Sequence, residues 1–96
     1  MVVIQWLKFN RTRVIELQFD DNLEPRFLCE LFQRLVKGSY AASLVPPRGR
    51  KIMIYNEDAV ILEMPFNPDA TNIAGKKRCG DVLLISPDLW AKVKDY

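Results

Sequence analysis

Residues 80–86 read Gly-Asp-Val-Leu-Leu-Ile-Ser. Four apolar side chains in a row, Val82 to Ile85, break the alternation of a half-solvated strand. They fit a strand at the centre of a sheet, either buried on both faces or covered on one and used for binding on the other. The rest of the chain must then supply its neighbours and its cover.

Working outward, residues 1–19 read as a hairpin. Met1 to Phe9 is rich in Val, Ile, Trp and Phe, and Val14 to Phe19 alternates Ile15, Leu17 and Phe19 against Glu16 and Gln18. The short polar link Asn10-Arg11-Thr12-Arg13 suits an antiparallel turn. Asp20, Asp21 and Asn22 offer capping oxygens, and Pro25 suits a first helical turn, so a helix is predicted over 22–37 with Leu28, Leu31, Phe32 and Leu35 on its apolar stripe. Gly38 stops it. Ser39 to Arg50, with Pro46-Pro47 and Gly49, reads as a loop holding at most a short helical turn over Tyr40 to Leu44. Residues 51–64 read as a second hairpin, Lys51 to Tyr55 turning at Asn56-Glu57-Asp58 into Val60 to Met64. Phe66 to Asp81 is the long irregular stretch, 81–86 the last strand, and Ser86-Pro87-Asp88 opens a short C-terminal helix over 87–96.

One helix between two hairpins covers a mixed sheet if the last strand inserts beside the first, in parallel, at the centre. This order, with the strand-turn-strand of Ile52 to Met64 and the Gly80-Asp81 turn before an apolar last strand, resembles the ubiquitin-like β-grasp fold. The expectation is a single α+β domain over 1–96, a mixed sheet of four to five strands packed on one main helix. Conjugated members of that family end in Gly-Gly, whereas this chain ends Lys92-Val93-Lys94-Asp95-Tyr96. The resemblance therefore implies a non-covalent protein-interaction module, the N-terminal domain of a larger scaffold or adaptor.

Composition narrows the chemistry. No histidine is present among the 96 residues, which removes Ser/His/Asp and Cys/His nucleophile systems from this chain. Cys29 and Cys79 stand alone in sequence, unlike the close pairs of structural zinc, and Cys29 lies in an apolar helical run, favouring free thiols in a reducing compartment. No metal, cofactor or catalytic residue is assigned, and the expectation is a non-enzyme. The N-terminus lacks a signal-peptide pattern, and no apolar run reaches the roughly 18 to 20 residues that span a bilayer, so cytoplasm, or else nucleus, is the expected location. Fourteen Lys and Arg against twelve Asp and Glu leave +2, too little for whole-surface attraction to nucleic acid or membrane.

Alternation proposes the binding face. Gln5 disfavours its own face as core, so Trp6 turns toward the helix, leaving Val3, Leu7 and Phe9 opposite. By the same pattern Ile52, Ile54, Val82 and Leu84 are core. The predicted docking patch is then Phe9, Met53, Tyr55, Leu83 and Ile85, with Arg48, Arg50, Lys51, Lys76 and Lys77 as a basic rim. The competing outcome is that loops or the C-terminal segment with Trp90 fold over this face. The expected partner is another protein or peptide. A basic-surface module for nucleic acid or anionic lipid, drawing on Arg11/Arg13, Arg48/Arg50/Lys51 and Lys76/Lys77/Arg78 with Tyr40 or Tyr55 as a stacking platform, is the alternative. The acidic groups Asp20/Asp21/Glu24 and Glu57/Asp58 read first as capping and turn residues, next as contacts for head-to-tail self-association, and last as catalytic carboxylates.

Overall fold

The computed structural model describes residues 1–10, 14–45 and 50–96. The expected turn residues Arg11, Thr12 and Arg13, and the loop residues Pro46, Pro47, Arg48 and Gly49, lie outside them. The order of elements is β1 (Val2–Leu7), β2 (Ile15–Phe19), α1 (Pro25–Val36), β3 (Tyr40–Leu44), β4 (Ile52–Asn56), α2 (Pro68–Ala74), β5 (Val82–Ile85) and α3 (Pro87–Val93). The strands form one sheet in the order β2-β1-β5-β4-β3.

β5 does sit at the centre beside β1, with all four residues buried, as the unbroken apolar run requires. Its direction differs from expectation. β5 pairs antiparallel with β1 through Trp6↔Leu83 and with β4 through Ile54↔Leu83, so the α+β class holds while the expected mixed sheet is wholly antiparallel. The segment between β4 and β5 leaves and returns at the same end of the sheet, pinched by an antiparallel bridge between Phe66 and Cys79. A return at the same end reverses the strand.

The second hairpin is also displaced. β4 pairs with Tyr40–Leu44, not with Val60–Met64, which forms a turn. Tyr-Ala-Ala-Ser-Leu has little β propensity, but Tyr40 sets its ring edge-on to Phe32 at 5.5 Å and Ala42 packs on the core, so tertiary contact decides the strand. Phe66 to Asp81 is not wholly irregular either, since it contains α2. The Asn67 side chain accepts from the Ala70 N–H, Pro68 occupies the first turn, and Gly75 ends the helix at φ 75°.

Two apolar clusters sandwich the sheet. Leu28, Phe32 and Val36 of α1, with Leu89 and Val93 of α3, pack on Val2, Ile4, Ile52, Ile54, Leu83 and Ile85. Leu31 and Leu35, expected at the heart of the stripe, are only half-buried at its flank. On the reverse face, Ala70 of α2 closes over Leu7, Met53, Val82 and Leu84, with Ile73 and Ala74 beside it. α1 begins without a side-chain cap. Asp20 instead accepts the Asn22 N–H at 3.3 Å, and Asp21 pairs with the N-terminal ammonium, which holds its carboxyl below the usual value. α3 starts as expected, with Ser86 Oγ accepting from the Leu89 N–H at 3.1 Å.

Candidate functional site

Register decides which side chains share a face, because residues directly opposite in a ladder point the same way. Ile85 lies opposite Ile52, and Leu83 opposite Ile54 and Trp6. Leu83 and Ile85 therefore join the α1 core, while Val82 and Leu84 face α2, the inverse of the expected parity. Met53 does point away from α1, but it is buried in the reverse-face cluster that Ala70 of α2 and Val45 complete.

Of the predicted docking patch, Met53, Leu83 and Ile85 are thus buried, at 0%, 0% and 1% exposure. Tyr55 and Phe9 are half-buried and belong to different surroundings. Phe9 is tied through its N–H to Asp81 Oδ1 at 3.0 Å, whereas Tyr55 lies beneath the Arg78 guanidinium. The five do not form one exposed face. Among the rim residues, Lys51 donates to Gln5 Oε1 at 2.9 Å, Arg50, Lys76 and Lys77 are exposed, and Arg48 lies outside the described residues.

The surface offers a different apolar display. Val60, Ile61 and Leu62 are 59%, 81% and 58% exposed, and Phe66 is 51% exposed. Their turn is tightly built. The Leu62 N–H donates to Asp58 O at 2.8 Å, that of Glu63 to Val60 O at 3.1 Å, and that of Met64 to Ala59 O at 3.0 Å. Asn56 anchors the entry, its Oδ1 accepting from the Asp58 N–H at 2.8 Å. Three consecutive large apolar residues suit a buried strand as well as they suit this turn, so the pattern alone does not separate the two.

Beside this turn, Val60, Tyr55, Glu57, Lys77 and Arg78 line a cleft of about 70 Å³. Arg78 is the buried member of the Lys76-Lys77-Arg78 group, with its guanidinium carbon 3.9 Å from the centre of the Tyr55 ring. Sequence distinguishes Arg78 from the two lysines by its guanidinium but not by its burial. What buries it is its place one residue before Cys79, which bridges to Phe66 and carries its neighbour inward.

A second, larger hollow of about 480 Å³ opens between the end of β1 and α1, lined by Trp6, Lys8, Arg34, Lys37 and Asp81 among others. Lys8 Nζ stands 4.8 Å from the centre of the Trp6 ring. Asp81 accepts from Trp6 Nε1 at 3.1 Å as well as from Phe9, so this carboxylate braces the wall and is spoken for. None of the three cations is ion-paired among the described residues.

Cys29 and Cys79 are both free thiols, in accord with the expected absence of a disulfide. Tyr40 donates to Cys29 Sγ at 3.3 Å, and burial, reinforced by that hydrogen bond, pushes the Tyr40 phenol up to about 12. Among the described residues no group of three or more Cys, Asp or Glu side chains could hold a metal ion, and no helix is long and apolar enough to cross a membrane. Comparison with protein-family models, with curated proteins and with solved structures finds no match.

Proposed function

We propose that the chain is a non-enzymatic protein-interaction module of the cytoplasm, docking a partner protein or peptide on the turn of Val60, Ile61 and Leu62 with Phe66 beside it. The observation that carries this reading is the exposure of three consecutive large apolar side chains on a turn closed by three backbone hydrogen bonds. Apolar groups held rigidly in water raise the free energy of the isolated domain, and a partner's surface relieves that by burying them. The turn is already ordered, so little conformational entropy is lost on docking.

The β-grasp resemblance supports the reading only through the order of elements, a helix after the first hairpin and interior first and last strands. The strand direction departs from it. The docking site moves from the sheet face to the turn because Ala70 of α2 and Val45 complete a buried cluster on that face. The test is capture from native extract with the wild type and with Ile61→Asp. A partner held by the wild type should be lost with the variant and, once purified, should bind the wild type with at least tenfold higher affinity. Equal affinity for both proteins removes the turn as the docking site.

A second reading is favoured by one observation, that Lys8, Arg34 and Lys37 around the Trp6 hollow have no ion-pair partner among the described residues. A basic surface with an aromatic wall suits nucleic acid or anionic lipid. On that reading, Arg34→Ala with Lys37→Ala abolishes a salt-sensitive association with a single-stranded oligonucleotide or with anionic vesicles. Absence of any such association at low salt dismisses it.

A further inference from the structure

Arg78 is 9% exposed, and its Nε and Nη2 atoms are buried without a hydrogen-bond partner among the described residues. No carboxylate pairs with it among the described residues. A buried guanidinium with idle donors is strongly unfavourable, because the water it gave up has not been replaced. The Tyr55 ring beneath it eases the charge but accepts none of its N–H groups in plane.

The backbone makes this placement rigid. The Arg78 N–H donates to Thr71 Oγ1 at 2.9 Å, while its carbonyl accepts from the Thr71 hydroxyl at 3.3 Å and from the Asn67 N–H at 3.0 Å. Two residues of the α2 region thus fix the residue that carries the unpaired cation.

From these observations we infer that the Tyr55–Arg78 cleft is a carboxylate-binding site, taking an acidic side chain or a C-terminal carboxylate of a peptide. A planar guanidinium lying on an aromatic ring presents its donors edgewise, the geometry that a planar carboxylate meets with two parallel hydrogen bonds. The cleft holds about 70 Å³, room for one such group. Glu57 and Lys77 on the rim offset one another in charge, so shape selects the ligand, a planar two-oxygen carboxylate matching the guanidinium edge better than a tetrahedral phosphate. Glu57 and Lys77, both exposed, are the other charged side chains lining the cleft beside Arg78. Val60 joins the cleft to the apolar turn, so one peptide can place a carboxylate on Arg78 and an apolar side chain on Ile61 or Leu62. The inference rests on the docking reading for its biological partner only; the carboxylate site itself stands on Arg78.

The experiment uses the whole chain and a small anion. Sodium acetate is titrated into ¹⁵N-labelled protein at constant ionic strength, chloride being exchanged for acetate, while the Nε–H resonance of Arg78 is followed. A saturable shift of that resonance and of the Cys79 backbone amide is the expected result, the Cys79 shift being lost when Arg78→Lys is titrated. If Arg78→Lys does not fold, the wild-type resonance, assigned through its own backbone, carries the test alone. Glu57→Gln should tighten acetate binding by removing the like charge on the rim. Inorganic phosphate should bind more weakly than acetate. No saturable shift at Arg78 overturns the site, tighter binding of phosphate overturns the carboxylate assignment, and weaker acetate binding by Glu57→Gln makes Glu57 a supporting group and overturns its opposing role. No partner protein enters this titration, so its failure is distinct from failure of docking at Ile61.

Discussion

Gly38 stands so close to Asn56 that a Cβ placed on it would lie 2.8 Å from the Asn56 side-chain nitrogen. That nitrogen is occupied. It donates to the Val36 carbonyl at 3.1 Å and to the Lys37 carbonyl at 3.3 Å, closing the end of α1 against the last residue of β4. Gly38→Ala must therefore push the amide off its carbonyls, and should lower stability in urea by about 1 to 3 kcal/mol. Asn56→Ala should lose a similar amount by leaving the carbonyls unpaired. Because both variants damage the same contact, the double variant should lose clearly less than the sum. Simple additivity would separate the glycine from the amide.

Asn67 is the other buried amide on which the fold turns. Its Nδ2 donates to Leu7 O at 3.0 Å and to Gly80 O at 2.8 Å, joining the end of β1 to the approach to β5, while its Oδ1 caps α2. Asn67→Ala strands two carbonyls and removes a helix cap, a loss of about 2 to 4 kcal/mol. In hydrogen exchange, α2 should lose protection before the sheet does. Uniform loss across the molecule would mean that α2 is no separate unit.

How far the sequence discloses these features depends on how local each determinant is. The β1–β2 hairpin, α1 and α3 are specified by alternation, an amphipathic stripe, Pro25 and the Ser86 cap within their own residues. Even α2 carried its own signal, Asn67-Pro68 before and Gly75 after. β3 did not, since Tyr40–Leu44 becomes a strand only because the outer edge of β4 accepts it. The expected docking patch is dispersed for two reasons, the parity of Leu83 and Ile85 and the cover over Met53 on the reverse face. In an unbroken run such as Val82–Ile85, nothing within the run says which side chains face the helix, and register with β1 and β4 fixes it from outside. Arg78 is set apart from Lys76 and Lys77 in sequence by its guanidinium, but its burial against Tyr55 comes from the folded chain.

Tyr40 gives the protein an alkaline weakness. Its phenol is pushed up to about 12 by burial and by the bond to Cys29, whereas in the unfolded chain it titrates near 10. Between those values the unfolded state has released a proton that the folded state retains. The stabilising contribution is complete below about pH 10 and fades as pH rises through 12. Tyr40→Phe has no proton to lose, so the stability advantage of the wild type over this variant should shrink across that window. A constant difference between the two urea curves would show that the phenol titrates alike in both states.

Met53 and Ile61 put the two candidate docking faces in direct competition. Both are apolar residues that a charge would spoil as contacts, but Met53 is 0% exposed in the reverse-face cluster and Ile61 is 81% exposed on its turn. An aspartate at position 53 has no water and no cation to meet it, so Met53→Asp should lower stability by about 4 kcal/mol or more, enough to unfold a small domain. Ile61→Asp leaves its charge in solvent and should change stability by no more than about 0.5 kcal/mol. Thermal melts of the two variants side by side decide the matter. A folded Met53→Asp with an unchanged midpoint would mean that the reverse face of the sheet is open, restoring Met53 as an accessible contact. An unfolded Met53→Asp with an intact Ile61→Asp assigns one residue to the core and leaves the other free for a partner, so a binding defect in Ile61→Asp reports on docking alone.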